Sequence, residues 1–202
     1  MKRMAATIGT GFAAVALSAG TAFAGCPRPA EFPEEDGWYV ADSTEVLPKG
    51  AACDVGVKVI IKGHQRDMVN GEVMPKDYAP KLGDRLVAES PDMIMTLVNT
   101  KNGHQVTKKI TGTFYDTVVD FNRDGKLDLK SKGVGKNVYF GTGVKGFLWA
   151  NGVQKIRVDN FMGFPDSELH VDKTRGKTVE LCNKIGAKAV NGKNFVPPET
   201  KA

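Results

Sequence analysis

Apolar and polar positions alternate with a period of two along most of this chain. Val55, Val57, Val59 and Ile61 alternate with Gly56, Lys58, Ile60 and Lys62, the signature of a half-buried strand. A weaker alternation runs from Gln65 to Val73, and two more strands are expected over Asp84 to Ala88 and Met93 to Val98, separated by Ser90-Pro91-Asp92. Val106, Ile110, Phe114 and Val118 place one long strand over His104 to Val119, bent at Gly112. The series continues through Leu127 and Leu129, Val138 and Phe140, Phe147 and Trp149, and finally Val153, Ile156, Val158 and Phe161. Asn102-Gly103, Asp124-Gly125 and Asn151-Gly152 carry hairpin-turn chemistry, because Asn, Asp and Gly tolerate positive φ. Strands every 8–12 residues joined by such turns predict an all-β fold, an antiparallel meander closing into a barrel or stacking as a sandwich. The helix expected is short, over Thr178 to Lys184, with Gly186 as its left-handed terminator.

The flanks break the alternation. Residues 25–52 hold Pro27, Pro29, Pro33 and Pro48 and the acidic run Glu34-Glu35-Asp36. Proline lacks a backbone donor, so this stretch is expected to stay out of a sheet interior, as a tail or wrapping loop docked by Trp38-Tyr39. Residues 53–186 are then the β-domain, and 187–202, with Pro197-Pro198, a polar tail.

The first 24 residues follow another logic. Met1-Lys2-Arg3-Met4 is basic, the next fifteen residues carry no charge, and Ala22-Phe23-Ala24 has the small-x-small form of a cleavage site. That order predicts a secretory signal peptide over 1–24, its apolar run too short to span a bilayer. Export would place the cysteines where disulfides persist. Cys53 and Cys182 bracket the strand-rich region and are the expected pair, with Cys26–Cys53 as the competing one. Ala24-Gly25-Cys26 resembles the lipobox of bacterial lipoproteins, in which the Cys takes a lipid, but Phe23 stands where Leu is usual. A soluble secreted protein is expected, with a surface anchor at Cys26 as the alternative.

Composition adds little to this. The chain has 202 residues, 41% apolar and 25% charged, which suits one globular domain and excludes a disordered or collagen-like chain. The formal charge of +5 falls to +3 once Lys2 and Arg3 leave with the leader. Lys108-Lys109, Lys130, Lys132 and Lys136 read as scattered among acids on solvated strand faces, so no nucleic-acid partner is expected.

Candidate chemistry is sparse. Asp120, Asn122, Asp124 and Asp128 place oxygens at calcium-loop spacing around Gly125, but the twelfth position is Ser131 rather than Glu, and the flanks read as strands. A hairpin turn is expected there, with a weak calcium site as the alternative. His64, His104 and His170 lack ligand spacing and read as surface residues. Gly133-Val134-Gly135 and Gly141-Thr142-Gly143 have no strand–helix context for a phosphate cradle. Ser43, Ser90, Ser131 and Ser167 occupy no nucleophile motif. Phe114, Tyr115, Tyr139, Phe140, Phe147 and Trp149 are expected in the core rather than on a sugar platform.

With those residues in view, the chain resembles a group of small secreted actinobacterial proteins of unknown function. The resemblance rests on Cys53 before the first strand, Thr111-Gly112-Thr113-Phe114, Gly135-Lys136-Asn137-Val138 where the group has Gly-Arg-Asn-Leu, and Val179-Glu180-Leu181-Cys182. It covers residues 53 to 186 and departs at Lys136 and in the long acidic N-terminal segment. It implies a β-rich domain with one disulfide and contributes no catalytic residue. The expectation is an exported, non-enzymatic domain binding a small ligand or a protein at or beyond the cell surface, with no catalytic or cofactor residue assigned. The alternative is a secreted hydrolase. A perturbed carboxylate pair or a His–Asp contact in a pocket would favour the enzyme, an apolar pocket a ligand, and an exposed apolar patch a protein partner.

Overall fold

A computed structural model describes residues 36–75, 77–163 and 166–193. The expected leader, Cys26 and the end of the C-terminal tail lie outside those residues. Twelve strands are described: β1 (Trp38–Val40), β2 (Ser43–Leu47), β3 (Val57–Lys62), β4 (His64–Val69), β5 (Glu72–Val73), β6 (Arg85–Glu89), β7 (Ile94–Asn99), β8 (Gln105–Lys109), β9 (Gly112–Val119), β10 (Asp128–Tyr139), β11 (Leu148–Asp159) and β12 (Glu168–Glu180). They form two antiparallel sheets. The large one runs β1-β4-β6-β9-β10-β11-β12, with β5 beside β4, and the small one runs β2-β3-β7-β8. The fold is all-β and sandwich-like, with no closed barrel among the described residues.

The two sheets are joined at corners by short connections. The chain passes from one sheet to the other at Ala41-Asp42, at Gly63, at Ser90 to Met93, and at Ile110-Thr111. The corners are bonded to one another: the Ala41 amide donates to the Gly63 carbonyl, the Ile110 amide to Met93, and the Ser90 amide to Gly112. Three long strands carry a crease without leaving the large sheet. There Gly112, Gly135, Gly152 and Gly176 stand opposite one another on β9 to β12. Gly135, Gly152 and Gly176 have φ of 94°, 140° and 132°, conformations that side chains resist. Sheets turn corners through such glycines and bends.

Several sequence expectations change here. Asn151-Gly152 is not a turn but the middle of β11, because the positive φ of glycine serves a crease as well as a hairpin. The strand expected over His104 to Val119 is two, β8 and β9, in different sheets. The alternation expected from Gln65 to Val73 splits into β4 and β5 at Asn70-Gly71. Asn102-Gly103 lies in the β7–β8 hairpin, where the Gly103 amide closes onto the Asn99 carbonyl, so the loop is longer than two residues. The second half of the expected N-terminal tail supplies β1 and β2, both at sheet edges, where paired amides are needed on one side only. Thr178 to Glu180 belong to β12, and the helical piece is a 3-10 turn, Cys182–Ile185, closed by Gly186 at φ 70°. Ala189, Asn191 and Gly192 bridge Cys53, Lys145 and Thr142, so the polar tail begins later than residue 187.

Two cores follow from the crease. On one side the small sheet, through Val57, Val59, Ile61, Met95 and Leu97, packs against Val138, Phe147 and Trp149 from the ends of β10 and β11. The Cys53–Cys182 disulfide lies fully buried in this core and ties the approach to β3 to the end of β12, across 129 residues. On the other side, the large sheet curls around Leu86, Phe114, Val118, Leu129, Tyr139, Ile156 and Leu169.

Candidate functional site

The expected calcium residues form a turn held by its own carboxylates. Between β9 and β10, the Asp120 oxygens accept from the Asp124 amide at 3.2 Å and the Gly125 amide at 3.1 Å. Asp124 accepts from the Lys126 amide at 3.0 Å. Asp128, 1% exposed, accepts from the Phe121 amide at 2.7 Å and the Asn160 amide at 2.8 Å, one with each oxygen. Arg123 and Gly125 at φ of 56° and 80° complete the reversal, and Asn122 is exposed on it. Among the described residues no group of three or more His, Cys, Asp or Glu side chains is placed to hold a metal ion.

The histidines sit apart. His64 Nδ1 meets Asp92 at 2.7 Å with both side chains about half exposed, and this contact holds the Asp92 carboxyl below its usual range. His170 Nε2 lies 3.1 Å from Asp159 and 3.8 Å from Glu168 near the start of β12. The His104 amide donates to Asn102 Oδ1 in the β7–β8 hairpin. Gly133 and Gly135 are inside β10, and Gly143 packs on the Leu169 carbonyl. Phe114, Tyr139, Phe140, Phe147 and Trp149 are buried as expected, but Tyr115 is 49% exposed, because it occupies the outward position between Phe114 and Asp116.

A cluster that no motif announced lines the inside of the curled sheet. Asp67, 2% exposed, accepts from the Tyr39 hydroxyl at 2.6 Å and from Gln65 Nε2 at 2.8 Å. Gln154 Oε1 accepts from Asn137 Nδ2 at 2.9 Å and from the Tyr139 hydroxyl at 3.0 Å. Asp116, 6% exposed, takes a hydrogen bond from Ser131, directly opposite it on β10. Burial pushes the Asp116 carboxyl up to about 7; the Ser131 bond opposes this and the charge of Asp67 adds to it. Burial and the charge of Asp116 also drive the Tyr139 phenol well upward. Among the described residues Asp116 Oδ1, Asn137 Oδ1 and Gln154 Nε2 have no hydrogen-bond partner, and buried polar atoms normally have one. The legible signal was parity: Asp116 shares its inward face with Phe114 and Val118, and Gln154 with Ile156 and Val158.

The opposite face of the same strands is basic. Lys132, Lys155 and Lys173 are directly opposite one another on β10, β11 and β12. Two rows on stands Lys136–Asn151–Lys177, with Arg175 in the row between, beside Val134 and Val153. The lysines that looked scattered in the sequence are gathered here by strand register.

No family model, no curated protein and no solved structure matches this chain.

Proposed function

We propose that this protein is exported and works outside the cytoplasm as a non-enzymatic binding domain. The observation that carries the reading is the buried Cys53–Cys182 disulfide, which spans 129 residues and joins the two ends of the sandwich. Such bonds persist in oxidising compartments, and a bond of this span is compatible with an extracellular protein. The leader-like segment and the likeness to small secreted actinobacterial proteins support the same location. The titratable groups support binding over catalysis. Asp67 and Asp116 are enclosed by side chains, and the His–Asp contacts lie on separate surface patches.

The test is the intact mass of the protein exported from cells producing the full chain, measured before and after reduction. The expected product begins at Gly25 and gains two hydrogens on reduction; a diacylglycerol adduct at Cys26 would place it on the cell surface. Cytoplasmic retention with free Cys53 and Cys182 thiols would refute export. The hydrolase reading is favoured by one observation, the buried Asp116 carboxyl raised by burial and by the nearby charge of Asp67. Hydrolysis of an ester, peptide or glycoside that is lost in Asp116→Asn would establish it over the binding reading.

A further inference from the structure

We infer that the outward face of β10–β12 is a docking surface for a linear anionic polysaccharide. Four features of one face point to it. First, it is uncovered: beyond the glycine crease the small sheet no longer overlies the large one, and Lys130, Lys132, Lys155, Lys173, Arg175 and Lys177 are all exposed. Second, its charge is mostly positive. The acids on these strands' outer rows, Asp159, Glu168 and Asp172, gather toward the start of β12, where they meet His170 and Arg157, and among the described residues no ion pair involves the lysines. The expected mature chain carries a surplus of only three charges, so this face holds far more than its share.

Third, like charges stand directly opposite one another in register, at Lys132–Lys155–Lys173. Cross-strand like charges destabilise a sheet, and the acidic or neutral residue that would relieve them is absent from all three positions. Folding alone does not favour that row; an anion laid across it does. Fourth, the row ends in an aromatic. Tyr115 on β9 is directly opposite Lys132, which extends the line to Tyr115–Lys132–Lys155–Lys173. With strands about 4.8 Å apart, the row is about 14 Å long.

A flat phenol ring beside a line of ammonium groups fits a sugar ring followed by its ester or carboxylate charges. A single-stranded nucleic acid would call for a series of stacking rings, and Tyr115 is the one exposed aromatic in this row. A bilayer would call for protruding apolar side chains, whereas Val153, among these cations, is only 36% exposed. The point charges of lysine suit a flexible polymer bound through many weak contacts.

The inference deepens the binding reading and rests on it for where the polymer would be met, but its test does not depend on export. Fluorescently labelled heparin of defined length is titrated into the purified protein at 0.15 M salt, alongside an alginate oligomer, a single-stranded oligonucleotide and vesicles rich in anionic lipid. Saturable binding of heparin or alginate is expected. The triple variant K132Q/K155Q/K173Q should weaken it about tenfold or more and lower the slope of log K against log salt by about two units. Tyr115→Ala should weaken it while leaving that slope unchanged. The control K58Q/K62Q, on the small sheet, should stay within about twofold. If the triple variant fails to fold, Lys155→Gln and Tyr115→Ala carry the same comparison. Three results would overturn the inference: no saturable binding, an equal loss in the control, or tighter binding of the oligonucleotide or the vesicles. Failure to bind leaves the mass measurement of export untouched, and failure of export leaves the titration interpretable.

Discussion

Replacing Asp116 by asparagine should stabilise this protein in a pH-dependent way. In the folded chain the Asp116 carboxyl is pushed up to about 7, against an ordinary value of 3.8. The native state therefore holds this proton more tightly than the unfolded chain across that interval. Stability falls as pH rises from about 4 to about 7, and the full cost of burying the carboxylate is present above that window. At 1.36 kcal/mol per unit the cost has a ceiling of about 4 kcal/mol, and relaxation of the interior reduces it to about 1–3 kcal/mol. The amide is nearly isosteric, keeps an oxygen for the Ser131 hydroxyl and carries no charge beside Asp67. Urea unfolding of both proteins, followed by tryptophan fluorescence at intervals from pH 4 to pH 8, isolates the effect, because groups common to both cancel in the difference. The difference should be near zero at pH 4 and reach about 1–3 kcal/mol in favour of the variant at pH 8. A difference that does not vary with pH, or one that grows toward acid, would refute the assignment of Asp116 as the perturbed acid.

Further substitutions test the frame around it. Breaking the Cys53–Cys182 bond by a double serine substitution should cost about 4–5 kcal/mol, given the length of chain it closes, and the loss is read as a lower calorimetric midpoint. Gly152→Ala should destabilise by several kcal/mol, since a methyl group there meets the Arg175 carbonyl at a φ of 140°. The same substitution at Gly71, φ 92° with open space around it, should cost less, and equal urea midpoints for the two variants would count against a crease. Asp128→Ala leaves the Phe121 and Asn160 amides without their acceptor and should cost about 2–4 kcal/mol in chemical denaturation. Asp124→Ala, which frees one exposed amide, should be close to neutral in the same assay.

Part of this architecture is written locally. Alternation sets most of the strands, because a period of two puts one face of each against a core whatever its partner. Cys26, the odd cysteine beside the expected leader, leaves Cys53 and Cys182 as the natural pair, and they are joined. Asp124-Gly125 and Gly186 act where their backbone freedom predicts, at a hairpin and at the end of a helical turn.

What depends on which strands become neighbours could not be read this way. Asn151-Gly152 carries the chemistry of a turn, and only its alignment with Gly135 and Gly176 makes it part of a crease. Asp67, Asp116 and Gln154 are single polar residues on inward faces, far apart in sequence, and the curl of the large sheet assembles them into one cluster. Lys132, Lys155 and Lys173 lie about twenty residues apart in sequence; hydrogen-bonded register, a property of the paired backbone rather than of any one segment, sets them side by side. Periodicity along a strand is a local property and survives in the sequence, whereas adjacency across strands exists only once the sheet has formed.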